Sequence, residues 1–457
     1  MSGRRIGILG LARSGRAAAL LALSAGERVF ASDAGTSPAA LEAAEAVEMA
    51  GGEAELGGHT PERLAECELL VVSPGIPPAA PVLNDPRLAG VPRISELEFA
   101  FCHLRSPVVA VTGTNGKSTT TALTAHLLRA GGLHAVAAGN IGLALSEVAL
   151  YEKAPEWVVV EASSFQLAGI ESFAPRVGVF TNLAPDHLDR YSSVEAYYAD
   201  KARLFKNSTD ESAWVLNGED AAVLALPGGA HGRRYRFRTR SRPARGELGA
   251  FLADGVMAMR LESWDLPLVR ADELRMLGEH NAANALAASL AAALAGAPVV
   301  AIRDGLRSFR GLEHRLEVVG EWDGVLWVND SKATNIASTL VALRSVQRPI
   351  VLLLGGRHKG EPYTAMIPEL RDRVRLVVAY GEAAPIVEQD LRRAVRVERI
   401  GGSFEDVVEQ ASHLAHPGDA VLLSPACSSF DMFSSYEERG RRFKDLARQV
   451  AEVRHGG

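Results

Sequence analysis

The sequence predicts an α/β protein of three domains, each built on a mainly parallel sheet. Three observations carry this. Runs of β-branched and aliphatic residues alternate with helical patterning from end to end. A strand, a glycine-bearing loop and a helix follow one another at 108–129. A chain of 457 residues also exceeds what one core ordinarily serves. The expected divisions are a Rossmann-like domain at 1–105, a central domain of P-loop type at 106–312, and a second Rossmann-like α/β domain at 313–457.

Residues 4–33 open the first domain as strand (5–9), turn (10–15), helix (16–25) and strand (28–32), ending on Asp33. This begins a Rossmann-like unit, although the glycines lack the G-x-G-x-x-G spacing of a dinucleotide fingerprint. The opening arginines and short apolar run, broken by glycines, read as a first strand rather than a secretory leader. Asp33 has two readings, a partner for a sugar hydroxyl or a cap before Ser37-Pro38. A strand at 69–73 runs into Pro74-Gly75-Ile76-Pro77-Pro78, and residues 79–105, carrying prolines and no long period, read as a connector.

In the central domain, a strand at 108–111 meets a small-residue loop at 112–116 and a helix at 117–129 stopped by Gly131 and Gly132. A polyphosphate requires closely approaching backbone N–H groups, a helix N-terminus, a lysine and a hydroxyl for magnesium. Gly113, Gly116, Lys117 and Ser118 supply them, so ATP with magnesium is the expected ligand. Val111 stands where G-x-x-x-x-G-K-[ST] has its first glycine, which makes the loop a variant. Strands at 134–138, 157–160 and 177–181 lead to Gly139-Asn140-Ile141-Gly142, to Glu161, and to Asp186 and His187. Carboxyl ends of parallel strands face one crevice, which makes Glu161 and His187 expected magnesium ligands beside Ser118. Taken singly, Glu161 also reads as a cap or ion-pair partner and His187 as an ordinary loop histidine. Lys201 occupies a helix with one aromatic and apolar side, where a solvated lysine is the ordinary reading.

Residues 212–275 lose the parallel pattern. In RRYRFRTRSRPAR, arginines alternate with Tyr235 and Phe237, which predicts an edge strand with an arginine face and supports nucleic-acid binding only weakly. Asn281 and Asn284 share a face near the start of an alanine-rich helix, as caps or as partners of a purine. In the third domain, strands at 325–328, 350–354, 376–379 and 420–423 are followed in three cases by polar loops, at 329–335, 355–360 and 424–431. Such loops are where α/β domains keep their ligands. Cys427 reads as a buried small residue rather than a nucleophile, and a helix at 434–453 closes the domain.

Hydrophobic residues make up 47% and charged residues 23%, the balance of a folded globular chain, and no run approaches the roughly 20 apolar residues of a bilayer span. A net charge of -6 provides no global attraction for nucleic acid or an anionic membrane. Cys67, Cys102 and Cys427 are few, odd in number and far apart, which predicts a reducing cytoplasm and no C-x-x-C metal site.

GTNGKST at 113–119, GNIG at 139–142, EASSFQL at 161–167, DHLDRY at 186–191, GEHNAANALAA at 278–288, HR at 314–315, NDSKATN at 329–335 and SPACSSFDMF at 424–433 occur together and in this order. A chain carrying them resembles the Mur ligase family, with SSFQL and SPACSSFD favouring its D-glutamate-adding branch. The resemblance implies a three-domain ATP-dependent amide ligase that adds D-glutamate to UDP-N-acetylmuramoyl-L-alanine through an acyl phosphate, in peptidoglycan precursor synthesis. It implies a cytoplasmic monomer with small-molecule substrates and neither nucleic acid nor membrane as partner. Gly113, Thr114, Asn115, Gly116, Lys117, Ser118 and Thr119, with Asn281, Asn284, Arg315 and Asp330, are implied for ATP. Ser118, Glu161, His187 and a carbamoylated Lys201 are implied for two magnesium ions, and Lys117, His187, Lys201 and Lys332 for catalysis. Ser14, Asp33, Ser73, Gly75, Asn140 and His187 are implied for the UDP-sugar. Thr334, Lys359, Ser424 and Phe430 are implied for D-glutamate or the transferred phosphoryl group.

Several positions depart from the family pattern. Ala34-Gly35 stands where a larger polar pair is expected, His358 where an acidic residue is usual, and Ser428 and Met432 where alanine and glutamine are usual. Three rivals follow from the same residues. Another Mur ligase or a folylpolyglutamate synthetase-like ligase would share GTNGKST; a nicotinamide-dependent oxidoreductase would use residues 4–33 and leave GTNGKST unexplained; a regulatory nucleotide-binding protein would lack ligase activity.

Overall fold

The computed structural model describes residues 3–455 apart from Asp189. Three sheets carry the fold, as the strand-helix alternation predicts. The first contains β1 (Arg5–Leu9), β2 (Arg28–Asp33), β3 (Glu53–Leu56), β4 (Leu69–Val72) and β5 (Arg93–Ser95), all parallel, in the order β3-β2-β1-β4-β5.

The second sheet begins with β6 (Val108–Thr112), β7 (Ala135–Gly139), β8 (Trp157–Glu161), β9 (Val177–Phe180) and β10 (Ala213–Asn217). It continues through β11 (Arg233–Arg238), β12 (Gly249–Ala253), β13 (Val256–Arg260) and β14 (Leu266–Arg270), in the order β14-β13-β12-β11-β10-β9-β6-β8-β7. β6 is buried along its whole length, as expected of a strand covered on both faces. It lies between β8 and β9, where consecutive connections diverge to opposite sides, and this switch point is where an open parallel sheet forms a crevice.

Two expectations are corrected here. β11 is not an edge strand: it pairs in parallel with both β10 and β12, and the pattern turns antiparallel only at β13 and β14. Tyr235 and Phe237 fill its buried face, while Arg236 and Arg238 are both bonded to Glu247. Two of the segment's arginines thus share one carboxylate, while Arg233 and Arg234 remain exposed. Residues 79–105 are more than a connector, since they contain β5 and the helix Glu96–His103, whose Ser95 cap accepts from the Glu98 N–H. One buried cluster runs from Ile6 and Ile8 through Leu97 and Phe99 to Val108, Val158 and Phe180, so the first two sheets share a core.

The third sheet contains β15 (Glu317–Trp322), β16 (Val325–Asn329), β17 (Ile350–Gly355), β18 (Val374–Tyr380), β19 (Val397–Arg399) and β20 (Ala420–Leu423), in the order β15-β16-β20-β17-β18-β19. Only β15 is antiparallel. The chain forms two compact units: residues up to Ala271 with Ala282–Leu306, and Asp272–Asn281 with the chain from Arg307 onward. Among the described residues no helix is long and apolar enough to cross a membrane.

Candidate active site

The loop after β6 is held by its own turn and by the end of β9. Gly113 adopts φ 141°, and a Cβ there would stand 2.0 Å from the Thr181 hydroxyl oxygen, so only glycine fits. Val111 is fully buried inside β6, which explains the motif variant: the strand continues through Thr112, and the turn starts two residues later than the missing glycine. The Thr114 N–H donates to the Asn182 carbonyl at 2.8 Å, the Asn115 N–H to Asn182 Oδ1 at 2.9 Å, and the Thr181 hydroxyl to the Asn115 carbonyl at 2.6 Å. Gly116, at φ 82°, caps the helix Lys117–Ala130 without a side-chain cap hydrogen bond. Lys117 Nζ folds back onto the carbonyls of Gly113 (3.0 Å) and Thr114 (2.8 Å), both weak partners that an anionic phosphate would displace.

Asn284 supports this loop from below. Its Oδ1 accepts from Thr120 at 3.3 Å and stands where a Cβ on Gly116 would collide. Asn281 falls in the other compact unit, where its amide donates to the Leu277 carbonyl at 2.8 Å.

Glu161 ends β8 and His187 follows β9, the two strands that flank β6. Glu161 is 2% exposed; one oxygen accepts from Asn140 Nδ2 at 2.8 Å and the other is buried with no partner. An orphaned carboxylate oxygen of this kind is one a cation would complete. His187 holds a left-handed φ of 53°, and its ring meets Phe165 and Tyr197 edge-on at 5.1 and 5.9 Å. No three acidic, histidine or cysteine side chains converge among the described residues, so a magnesium ion here would depend on Ser118, Glu161, His187 and ligand oxygens together.

Lys201 is not the solvated lysine its helix suggests. It is 1% exposed, with Nζ donating to the Gly113 carbonyl at 2.8 Å and lying 4.5 Å from the Tyr197 ring centroid. Burial, reinforced by the Lys117 charge, lowers its pKa to about 7. Tyr197, unassigned from sequence, links this lysine to the loop through its hydroxyl, 3.3 Å from that of Thr114.

In the first sheet the Asp33 carboxylate accepts from the Gly35 N–H at 2.7 Å, as a turn cap, and from the Leu11 N–H at 2.6 Å, while Ser37 caps the helix Pro38–Met49. Ser73 is buried and donates to the Gly10 carbonyl at 2.9 Å. Ser14 lies in the first turn of the helix Arg13–Ser24, half-buried, and Gly75 follows β4.

The second unit has its own polar cluster at the ends of β16, β17 and β20. Asp330 is buried, accepting from Ser424 at 2.8 Å and the Leu316 N–H at 3.2 Å, and burial pushes its pKa up to about 7. Arg315 is exposed between His314 and Leu316, both at positive φ. Lys359 Nζ reaches the Thr334 hydroxyl at 3.2 Å, Lys332 Nζ lies 5.4 Å from the Tyr436 ring centroid, and Phe430 is 61% exposed. Cys427 is buried, as expected, with Sγ 2.9 Å from the Tyr363 hydroxyl, which in turn stands 3.0 Å from His358 Nδ1. Sequence reasoning missed Arg439. This fully buried guanidinium donates to Ser331 Oγ and O and to the Cys427 and Ser428 carbonyls, tying the 329–335 loop to the 424–431 loop. One arginine among several in the helix Tyr436–His455 carries no such signal.

Three family descriptions match the chain: Mur ligase MurD-like, N-terminal domain, at residues 4–95; Mur ligase middle domain at 111–292; and Mur ligase, glutamate ligase domain, at 314–427. The UDP-N-acetylmuramoylalanine--D-glutamate ligase of Salinibacter ruber is 44% identical over 451 residues, covering 97% of each chain. That of Anaeromyxobacter dehalogenans is 43% identical over 467 residues, covering 99% of each. Among solved structures, the UDP-N-acetylmuramate-alanine ligase of Thermotoga maritima superposes with a TM-score of 0.58 at 18% identity, covering 98% of this chain and 99% of that one, a likeness of fold.

Proposed function

The chain belongs to the Mur ligase family, and on that premise we propose that it joins D-glutamate to UDP-N-acetylmuramoyl-L-alanine with cleavage of ATP, in peptidoglycan precursor synthesis. The observation that carries this reading is the β6 loop: an anion cradle whose lysine lies against the Gly113 and Thr114 carbonyls, beside a buried carboxylate with one unused oxygen, in a chain near-identical in extent to ligases of that name.

A carboxylate and an amine do not condense at neutral pH because the oxygen is a poor leaving group. The alanyl carboxylate therefore attacks the γ-phosphorus of ATP, ADP leaves, and an acyl phosphate results. The D-glutamate amine then attacks the acyl carbon, phosphate departs, the nitrogen loses a proton, and the amide remains. Lys117 swings from the Gly113 and Thr114 carbonyls to the phosphate oxygens, and the open N-terminus of Lys117–Ala130 faces the developing charge. Ser118, Glu161 and His187 would hold a magnesium ion, which would neutralise charge developing on the phosphate. Lys359 with Thr334 offers a cation and a hydroxyl suited to a D-glutamate carboxylate.

Lys201 is assigned as a carbamate. The ammonium loses one proton, and the amine so formed adds carbon dioxide and releases a second, turning a cation that would repel a second magnesium into an anion that would attract one. The support is its burial between the phosphate loop and the Tyr197 ring, with no carboxylate bonded to it among the described residues. Labelled bicarbonate should give a carbamate carbon resonance that Lys201→Ala removes; an unlabelled wild-type protein rejects the assignment.

The decisive assay is phosphate release. It should require ATP, magnesium, UDP-N-acetylmuramoyl-L-alanine and D-glutamate together, and should not proceed with L-glutamate, meso-diaminopimelate or a folate. Turnover with a folate, or tight NAD(H) binding without ATP cleavage, would overturn the reading.

A further inference from the structure

Two motifs contain side chains to which this reaction assigns nothing, Phe165 of EASSFQL and Arg190 of DHLDRY. In the structure they meet. The Arg190 guanidinium carbon lies 3.9 Å from the Phe165 ring centroid. The same ring stacks on Tyr191 at 5.5 Å with 11° between planes, and takes the His187 ring edge-on at 5.1 Å. From this platform Arg190 Nη2 donates to the carbonyls of Pro74 at 3.5 Å and Ile76 at 3.3 Å. Arg190 Nε is buried without an acceptor, which leaves one donor for a group arriving with the ligand.

The two carbonyls flank Gly75. That glycine is the flexible residue in a run otherwise stiffened by Pro74, Pro77 and Pro78, and nothing lies within 4 Å of where its Cβ would be. Gly75 itself is unpacked, while Ile76 packs against the first-sheet core and its N–H donates to the Ser73 carbonyl at 3.1 Å; Arg190 adds hydrogen bonds to the carbonyls on either side of Gly75. A guanidinium suits this task because it stacks by its face while its edge keeps directional donors, and an ammonium does only part of it.

We propose that Arg190 is a positioning residue for the sugar-nucleotide substrate: seated on Phe165, it holds the backbone on both sides of Gly75 at a set distance from the His187 segment. One side chain thus sets the spacing between the loop implied for the UDP-sugar and the loop implied for metal. The identity of the substrate rests on the ligase reading above; the clamp itself does not.

The test uses the full-length protein and the variants Arg190→Ala, Arg190→Lys and Phe165→Leu. With wild-type turnover established, Arg190→Ala should raise KM for UDP-N-acetylmuramoyl-L-alanine about tenfold while leaving KM for ATP and D-glutamate within about twofold, as expected of a misplaced loop. Arg190→Lys should fall between, and Phe165→Leu should add little in the Arg190→Ala background, because both remove one device. Within residues 73–78 the amides that exchange are those of Ser73, Gly75 and Ile76, and the Ile76 amide, bonded to the Ser73 carbonyl, should exchange at least about tenfold faster in Arg190→Ala, with exchange in β6 unchanged. That second readout does not depend on the substrate: a wild-type protein inactive with UDP-N-acetylmuramoyl-L-alanine would reject the ligase reading, and exchange would still decide the clamp. Unchanged exchange over 73–78 overturns the proposal, as does an equal rise in KM for ATP.

Discussion

At the scale of single residues, the β6 loop concentrates the sharpest consequences. Gly113 combines a left-handed backbone with a 2.0 Å collision for any Cβ, so Gly113→Ala should abolish nucleotide binding, measured by titration with an ATP analogue, while the rest of the chain stays folded. Lys117→Ala should lower substrate-dependent phosphate release by about 100-fold or more, and unchanged release would count against the phosphate assignment. Asp330 gives a pH dependence. Its folded pKa, about 7, is above the unfolded value of roughly 3.9, so the native state binds the proton more tightly. Stability from this group is therefore full below pH 4 and declines as pH rises to 7, by an amount on the order of a few kcal/mol. Asp330→Asn should flatten that slope in urea titrations at pH 5 and pH 8. The motifs made the phosphate loop legible, because glycine, lysine and hydroxyl have fixed offsets there. Lys201 was legible only through family resemblance: its helix looks amphipathic, and its burial depends on Tyr197 and a carbonyl nearly ninety residues earlier.

At the scale of elements, the helix Glu96–His103 shows why a segment read as connector is structural. Glu98 is 2% exposed and accepts from the consecutive N–H groups of Glu171 (3.0 Å), Ser172 (2.7 Å) and Phe173 (2.9 Å), while Glu96 accepts from Ser146 N (2.8 Å) and Oγ (2.7 Å). Two glutamates on a short helix suggest a solvated face from sequence alone; their partners are fifty and more residues away, beyond any local period. Removing the charge while keeping the shape, Glu98→Gln should cost about 2–3 kcal/mol of unfolding free energy by leaving aligned donors poorly paired. β11 was misread for a related reason. Alternation of arginine with aromatic residues reports one buried face, and it is silent on whether neighbours flank both edges.

At the scale of the whole molecule, three sheets were legible because alternation repeats throughout, while their grouping into two compact units was not. The shared core between the first two sheets arises from apolar residues far apart in the chain. Calorimetry should resolve two transitions, with Glu98→Gln lowering only that of the first unit and Asp330→Asn altering only that of the second; a single transition shifted by both would contradict this division.

The division also does not follow chain order, since Asp272–Asn281 belongs with what comes after Arg307 while Ala282–Leu306 belongs with what comes before. During synthesis, which proceeds from the N-terminus, the earlier unit is complete once Leu306 clears the ribosome, but the ten-residue stretch it leaves out must wait for strands not yet translated. Nascent chains arrested shortly after Leu306 should therefore be protease-resistant everywhere except at that loop.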